Sequence, residues 1–407
     1  MIAKMPDTLH QLLAELLTES RERTIARTAE TYDRLTRPFE RGVVIFGTGQ
    51  LGRFVLPALR RAGLEALAFC DNNSGRWGTE IDGLNVIPPA AAIEKYGDSA
   101  CFLVAVYNSS APRRQLRVLG CRSIVPYPVF FWKHCESLPR EERLELPRRI
   151  LQQAHQMPSA YALLSDDASR EEFRAQIRWR CLMDYDCLPA HDPPADMYFP
   201  PDLVRLSSDE VLVDCGAFDG DSIKPFIERV DGRFRRIWAV EPDPANLRSL
   251  AECIAAFPSE VAARISVLPY ALGRESGTVR FTADGAVNSQ IASNGVGMEV
   301  TCRALDELLS GDECPTIIKM DIEGAETEAI PGAAKTIARC RPILAICAYH
   351  RCDHLWRIPM LLRAANPDYR IFLRRYAEEC WETVYYAIPP ERLGWLTGAR
   401  PLSLNEL

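Results

Sequence analysis

A chain of 407 residues, 47% hydrophobic and 25% charged, is long enough for two folded domains and too apolar for a disordered one. Its net charge of −7, with arginine clusters interrupted by acids and no sustained basic stripe, argues against a nucleic-acid partner. No apolar run reaches the length of a membrane span, and the N-terminus has no signal-peptide core. The 14 cysteines form no C-x-x-C pair and mostly punctuate apolar runs, which predicts buried thiols in a reducing, cytoplasmic setting.

The first stretch, residues 1–40, predicts one amphipathic helix from Thr8 to about Leu35, with Asp7 or Thr8 as N-cap. Leu9, Leu12, Leu13, Leu16 and Leu17 make an apolar stripe on it. That stripe must pack on this chain or on a second copy, so a homo-oligomer through this helix stays open.

Residues 41–135 read as a small Rossmann-like α/β domain. A strand, VVIF, runs into Gly47, Gly49 and Gly52, and a helix follows from Leu51 to Ala62. The next strand, LAFC, stops on Asp71, about 20 residues beyond Gly52, as in a dinucleotide fingerprint. Two more strands, CFLVAV and SIVPY, are separated by a helix from Pro112 to Leu119, giving about four strands and no substrate half. LAFCDNN, the turn at Asp82-Gly83 and VIPP resemble the small nucleotide-binding domains attached to sugar-modifying enzymes. Gly47, Gly49, Gly52 and Asp71 are therefore a second nucleotide site, for NAD or a nucleotide-sugar, or an empty structural turn. Residues 136–206 are helical but cut by Pro139, Pro147, Pro158, Pro193 and Pro194; SREEFRAQIRWRCLMDYD is their one long helix. They are read as a linker and cover.

The remaining residues, 207–407, are organised around VLVDCGAFDGDS, from Val211 to Ser222, and IWAVEPD, from Ile237. Each is a short buried strand; the first enters a glycine turn at Gly216 and Gly220, and the second stops on Glu241. Glu241 lies about 20 residues past Gly220, the spacing at which an acid reaches a ribose. Asp214, Asp219 and Asp221 crowd the turn, and carboxylates repel phosphate and attract ammonium. A cofactor with ribose hydroxyls, an ammonium and no phosphate is S-adenosylmethionine; the alternative is a structural turn. Next come ISVLPYALG, a strand ending near Tyr270 and Ala271, and a polar glycine-rich loop or hairpin. TIIKMDIEGAE gives a strand ending at Asp321 and a helix near Gly324, and RPILAICAYH a strand ending at Tyr349 and His350. YRIFLR and TVYYAIP close the chain as antiparallel neighbours.

DCGAFDGDS, VEPDPANL, KMDIEGAE, AYH with LWRIP, and YRIFLRRY with ETVYYAI together resemble the FkbM-type methyltransferases, over roughly the C-terminal half and including MYFPPDLV upstream. One departure is His354, where relatives usually carry an acid before LW. The resemblance implies an α/β fold: a seven-stranded class I methyltransferase sheet with an antiparallel last strand, beside the smaller domain and helical linker. It also implies methyl transfer from S-adenosylmethionine to a hydroxyl of a sugar, glycan or related secondary metabolite. On that reading Asp214, Gly216, Ala217, Asp219, Gly220, Ser222, Glu241, Pro242, Asn246, Ala271 and Asp321 line the cofactor.

Asp321 is the first choice for catalytic base and His350 the second, with capping or ammonium binding the alternatives for Asp321. Lys319 shares a sheet face with Asp321 and is assigned a structural ion pair. Asp321, Glu323, Glu326, His350 and His354 offer metal ligands, but the histidines lack zinc-site spacing, so no metal is expected. The competing functions are a nicotinamide-dependent oxidoreductase, or a non-catalytic nucleotide-sugar-binding protein, using Gly47 to Asp71.

Overall fold

A computed structural model describes residues 9–39, 42–138, 143–282, 290–291, 297–309, 311 and 313–393. The chain divides into two compact units. The first comprises Met1–His155, Arg174–Ala190 and Ala377–Trp381, and the second Gln156–Phe173, His191–Tyr376 and Glu382–Leu407. The segment 136–206 is thus shared between them.

The first unit opens with two helices, Leu9–Thr18 and Arg21–Thr36, where the sequence predicts one. The break falls at Ser20, whose side chain accepts a hydrogen bond from the Arg23 amide at 3.2 Å and starts the second helix. The predicted caps, Asp7 and Thr8, lie outside the described residues. Leu9, Leu12, Leu13 and Leu16 are buried within the single chain, while Leu17 is exposed.

The sheet of this unit uses β1 (Gly42–Phe46), β2 (Glu65–Cys70), β3 (Glu80–Ile81), β4 (Leu84–Ile87), β5 (Cys101–Val104) and β6 (Ile124–Pro126). Their order is β3-β4-β2-β1-β5-β6, all parallel except β3, which pairs antiparallel with β4. The sheet has two more strands than expected, because Asp82-Gly83 turns a short hairpin. Helix Gln50–Arg61 packs close above β1: a Cβ at Gly52 would lie 2.0 Å from the Gly47 carbonyl oxygen. Only glycine fits there.

The second unit holds β7 (Val211–Cys215), β8 (Arg236–Val240), β9 (Ile265–Leu268), β10 (Ala271–Leu272), β11 (Gly277–Thr282), β12 (Gln290–Ile291) and β13 (Met298–Arg303). It continues with β14 (Ile317–Met320), β15 (Ile343–Cys347), β16 (Arg370–Arg375) and β17 (Thr383–Ile388). Seven strands form one sheet in the order β16-β17-β15-β14-β7-β8-β9, with the last strand, β17, antiparallel to both neighbours. This is the expected seven-stranded sheet. Strands β7, β14 and β15 are buried along their whole length, as apolar strands covered on both faces must be. Leu212, Ile237, Ile317, Ile343 and Ala345 build one core with Phe226 and Leu250 from flanking helices.

Two expectations are revised. ISVLPYALG is not one strand: β9 ends at Leu268, and β10 joins a separate four-stranded sheet, β10-β13-β11-β12. Within the glycine-rich segment, β11 and β12 do form an antiparallel pair, though residues 283–289 and 292–296 lie outside the described residues. The cysteines are not all free thiols either. Cys314 and Cys340 form a disulfide with Cα atoms 5.3 Å apart, while most of the free cysteines are buried as predicted. Spacing alone did not reveal that pair, because its partners lie 26 residues apart and meet only once the sheet has folded. Among the described residues no helix is long and apolar enough to cross a membrane.

Candidate active site

In the seven-stranded sheet the strand order reverses between β7 and β14, and the crevice beyond the carboxyl ends of such strands is where α/β proteins bind ligands. The register pairs Asp214 on β7 with Lys319 on β14. Both are buried, and Lys319 Nζ lies 3.0 Å from Asp214 Oδ1. The ammonium also donates to the Gly216 carbonyl at 2.7 Å, and Ser222 donates its hydroxyl to Asp214 Oδ2. Burial disfavours the lysine's charge, but Asp214, Asp321 and Asp221 outweigh it and raise the Lys319 pKa. Asp214 and Ser222 therefore grip the glycine turn from beneath. Of the acids that crowd the turn in sequence, Asp214 is neutralised by this partner.

Above the pair the chain is pressed tightly together. Gly216 has φ +82°, and a Cβ there would lie 1.9 Å from the Asp321 carbonyl oxygen. Gly216 and Ala217 donate their amides to the Val240 carbonyl at 2.9 and 3.1 Å, tying the turn to β8. Glu241 follows β8 and is buried; its carboxylate accepts from the Phe218 amide at 3.0 Å, the Asp243 amide at 2.8 Å and Asn246 Nδ2 at 3.3 Å. Burial nonetheless leaves the Glu241 pKa raised. Gly216, Ala217, Gly220, Glu241, Pro242 and Asn246 are thus gathered on the tops of β7 and β8, with Asp219 half-buried in the same turn. Ala271 lies in β10, buried, just beyond the end of β9.

On the other side of the crevice, Asp321 follows β14, and its amide donates to the Cys215 carbonyl at 3.0 Å. It does not cap the next helix, which runs Glu326–Gly332. Its Oδ2 accepts from the Tyr198 hydroxyl at 2.7 Å, while Oδ1 faces the Tyr349 hydroxyl at 3.3 Å and His350 Nε2 at 3.2 Å. His350 follows β15 and is buried; its Nδ1 donates to Glu326 Oε1 at 2.8 Å. Burial would push Asp321 up, but His350, Lys319 and Tyr198 overcome it and hold the carboxyl far below the usual range. Burial would likewise lower His350, yet Glu323, Glu326 and Asp321 raise it well above an ordinary histidine. Glu382, just before β17, is pushed up to about 7 by burial and by the charge of Asp321.

The sequence reading brought forward Asp321 and His350 but missed Tyr198, Tyr349 and Glu382 as their neighbours. Each lay inside a quoted motif (MYFPPD, AYH, ETVYYAI). A tyrosine or glutamate beside an apolar strand reads as core packing until the opposite carboxylate is located.

At the other predicted cluster, in the first unit, the acid is held by neighbouring groups as Glu241 is. Asp71 Oδ2 accepts from the Thr48 amide at 2.7 Å and from the Thr48 hydroxyl, and Oδ1 accepts from the Asn73 amide at 2.8 Å. Burial would raise this carboxyl, but those bonds hold it low. The neighbouring helix Ser110–Val118 has its leading amides taken too: Ser109 donates to Glu379 Oε1 at 2.9 Å, and Ser110 to Glu378 Oε2 at 3.1 Å. Arg113 lies 3.4 Å from the same Glu379 oxygen.

Strand order and switch point define an α/β fold that binds its ligand above the carboxyl ends of β7, β8 and β14. Residues 214–377 match the family model of the methyltransferase FkbM domain, so the chain carries an FkbM domain and is a methyltransferase. A crystal structure of methyltransferase FkbM from Methylobacillus flagellatus KT shares this fold, with a TM-score of 0.74 and 24% identity over 94% of this chain and 100% of that one. Precorrin-6y C5,15-methyltransferase from Geobacter metallireducens GS-15 overlaps far less well (TM-score 0.29, 16% identity, 46% of this chain and 81% of that one). The S-adenosylhomocysteine-bound Podospora anserina methyltransferase PaMTH1 is similarly distant (TM-score 0.26, 14% identity, 44% and 71%). No curated protein matches the chain.

Two outcomes follow from these contacts. Lys319→Met strands a buried carboxylate and should cost about 3–5 kcal/mol, whereas adding Asp214→Leu to it should recover much of the loss. Denaturant unfolding of both variants tests this; a single variant as stable as wild type would contradict the pairing. The second outcome concerns Glu379, raised from 4.5 to about 7 by burial. The folded state then binds more protons than the unfolded one, so stability falls as pH rises from 4.5 to about 7. In Glu379→Gln that part of the pH dependence of the unfolding midpoint should flatten; an unchanged slope would remove Glu379 as its source.

Proposed function

We propose that the protein transfers the methyl group of S-adenosylmethionine to a hydroxyl oxygen of a sugar, glycan or related secondary-metabolite acceptor. The observation that carries this reading is the Asp321–His350 pair, set at the ends of β14 and β15 and directly against the Gly216 turn. The cofactor supplies an electrophilic methyl, so the chain's task is to align an oxygen and remove its proton. The Gly216–Gly220 turn, with Asp219, faces the methionine end, its carboxylate suited to the ammonium. Glu241, Pro242 and Asn246 receive the ribose; Glu241 Oε1 already accepts two internal donors, and Oε2, which accepts one, keeps lone-pair capacity for a hydroxyl. Ala271 borders the adenine. Asp214 and Ser222 act from below by fixing the turn.

In the transfer, the acceptor oxygen forms a bond to the methyl carbon as the carbon–sulfur bond breaks. The electron pair of that bond stays on sulfur, leaving neutral S-adenosylhomocysteine. The hydroxyl proton passes to Asp321, whose carboxylate faces the crevice beside His350, and Glu326 fixes the His350 ring through Nδ1. The Tyr198 and Tyr349 hydroxyls hold the Asp321 carboxylate in place. The competing reading is a nicotinamide or nucleotide-sugar site at Gly47, Gly49, Gly52 and Asp71; the acid-rich turn from Asp214 to Asp221, suited to an ammonium and not to a phosphate, favours methyl transfer.

Glu241→Ala should weaken S-adenosylmethionine binding by about one to two decades, corresponding to the loss of about 1.5–3 kcal/mol of charged hydrogen bonding. Titration calorimetry reads this directly, and an unchanged affinity would remove the ribose assignment. Asp321→Asn and His350→Gln should each lower turnover at saturating cofactor by about 10²–10⁴-fold with cofactor affinity within a few-fold of wild type. If Asp321→Asn instead loses cofactor affinity and keeps turnover, Asp321 anchors the ammonium and His350 works alone.

A further inference from the structure

Three carboxylates, Asp321, Glu323 and Glu326, converge on one imidazole. His350 Nε2 lies 3.2 Å from Asp321 Oδ1 and 3.6 Å from Glu323 Oε1, and Nδ1 lies 2.8 Å from Glu326 Oε1. The nearest ammonium, Lys319, is committed to Asp214 and the Gly216 carbonyl. Behind the cluster, His354 is completely buried, and neither of its ring nitrogens makes a hydrogen bond. Its Nδ1 points at Glu326 Oε2 from 3.5 Å, and that oxygen, fully buried too, also has no hydrogen bond. Buried polar atoms are nearly always satisfied, and His350 Nε2, directed at Asp321 and Glu323, is a further buried nitrogen with no hydrogen bond. Three carboxylates surround that imidazole, which favours a cation as its partner.

We propose that Asp321 and His350 Nε2 bind a divalent first-row metal ion of the manganese or zinc type, with Glu326 orienting His350 and Glu323 within reach as a further ligand. Asp321, Glu326 and His350 bring one ligand atom each to within 4.8 Å of the others. Ligand atoms at right angles on an ion with bonds of about 2.1 Å are separated by about 3 Å, the spacing seen between Asp321 Oδ1 and His350 Nε2. The Glu326–His350 bond is the carboxylate–histidine support that metal-binding imidazoles use to fix their tautomer and direction. Oxygen donors with an imidazole favour manganese or zinc over copper(I), which prefers sulfur. The sequence reading expected no metal because the two histidines, four residues apart, lack a zinc motif. In the folded chain the ligands instead come from the ends of two strands, β14 and β15, with a helix behind. The ion's place beside the acceptor oxygen rests on the methyl-transfer reading; there it would lower the pKa of a bound hydroxyl. Ion binding itself does not depend on that reading.

The test is a titration of the full chain, stripped with chelator, with Mn²⁺ followed by electron paramagnetic resonance and with Zn²⁺ followed by calorimetry, both without cofactor. One of the two ions should bind at one per chain. Asp321→Asn and His350→Gln should each weaken it by at least about 100-fold, and Glu326→Gln by about 10–100-fold, the range for a supporting carboxylate. Retained S-adenosylmethionine binding in chelator would show that the variants fold. Absence of stoichiometric binding of both ions, or binding unaffected in both Asp321→Asn and His350→Gln, overturns the site. Failure of S-adenosylmethionine to bind wild type would count against the methyl-transfer reading and leave the ion result standing on its own.

Discussion

A single buried ion pair sets the geometry of the second unit. Asp214 and Lys319 are register partners on adjacent parallel strands, and their bond joins the strand that enters the glycine turn to the strand that releases Asp321. Burying two charges is expensive and returns little net stability, so such a pair is better understood as fixing position than as adding strength. Here it does so twice, because Lys319 also holds the Gly216 carbonyl and Asp214 also holds Ser222. The turn is clamped at both ends. Gly216 can then approach β14 so closely that no side chain fits between them.

From that clamp the electrostatics of the site follow. Lys319 and His350 both hold Asp321 down, and Glu323, Glu326 and Asp321 in turn pull the His350 pKa up against its burial. Asp321 therefore stays a carboxylate facing the crevice. Tyr198 and Tyr349 add donors without charge, so they orient Asp321 and do not neutralise it. Glu382 is raised to about 7, first by burial and then by the charge of Asp321.

Much of this was legible in the sequence because the sheet is buried on both faces. Continuous apolar runs ending in an acid or glycine announce parallel strands and the positions of their carboxyl ends, which is where Asp214, Glu241, Asp321 and His350 were found. The pairing of Lys319 was predicted from its two-residue spacing to Asp321, but its partner could be fixed only by register. Less legible were features that depend on distant parts of the chain meeting: the Cys314–Cys340 bond, the tyrosines around Asp321, and the contact of His354 with Glu326. The glycine fingerprint of the first unit was equally legible: its strand and helix form as predicted, and Asp71 accepts from Thr48 and Asn73 much as Glu241 accepts from Phe218, Asp243 and Asn246. Spacing reports both turns and does not choose between them.

Two glycine turns thus compete for one adenosine-bearing cofactor, and the proposed methyl transfer requires it at the second. Photo-crosslinking of adenine-labelled S-adenosylmethionine to the full chain, followed by peptide mapping, separates the two directly. Label on peptides containing residues 214–222, 241–246 or 268–271, displaced by excess S-adenosylhomocysteine, is the predicted result. Displaceable label between residues 47 and 71 would contradict it.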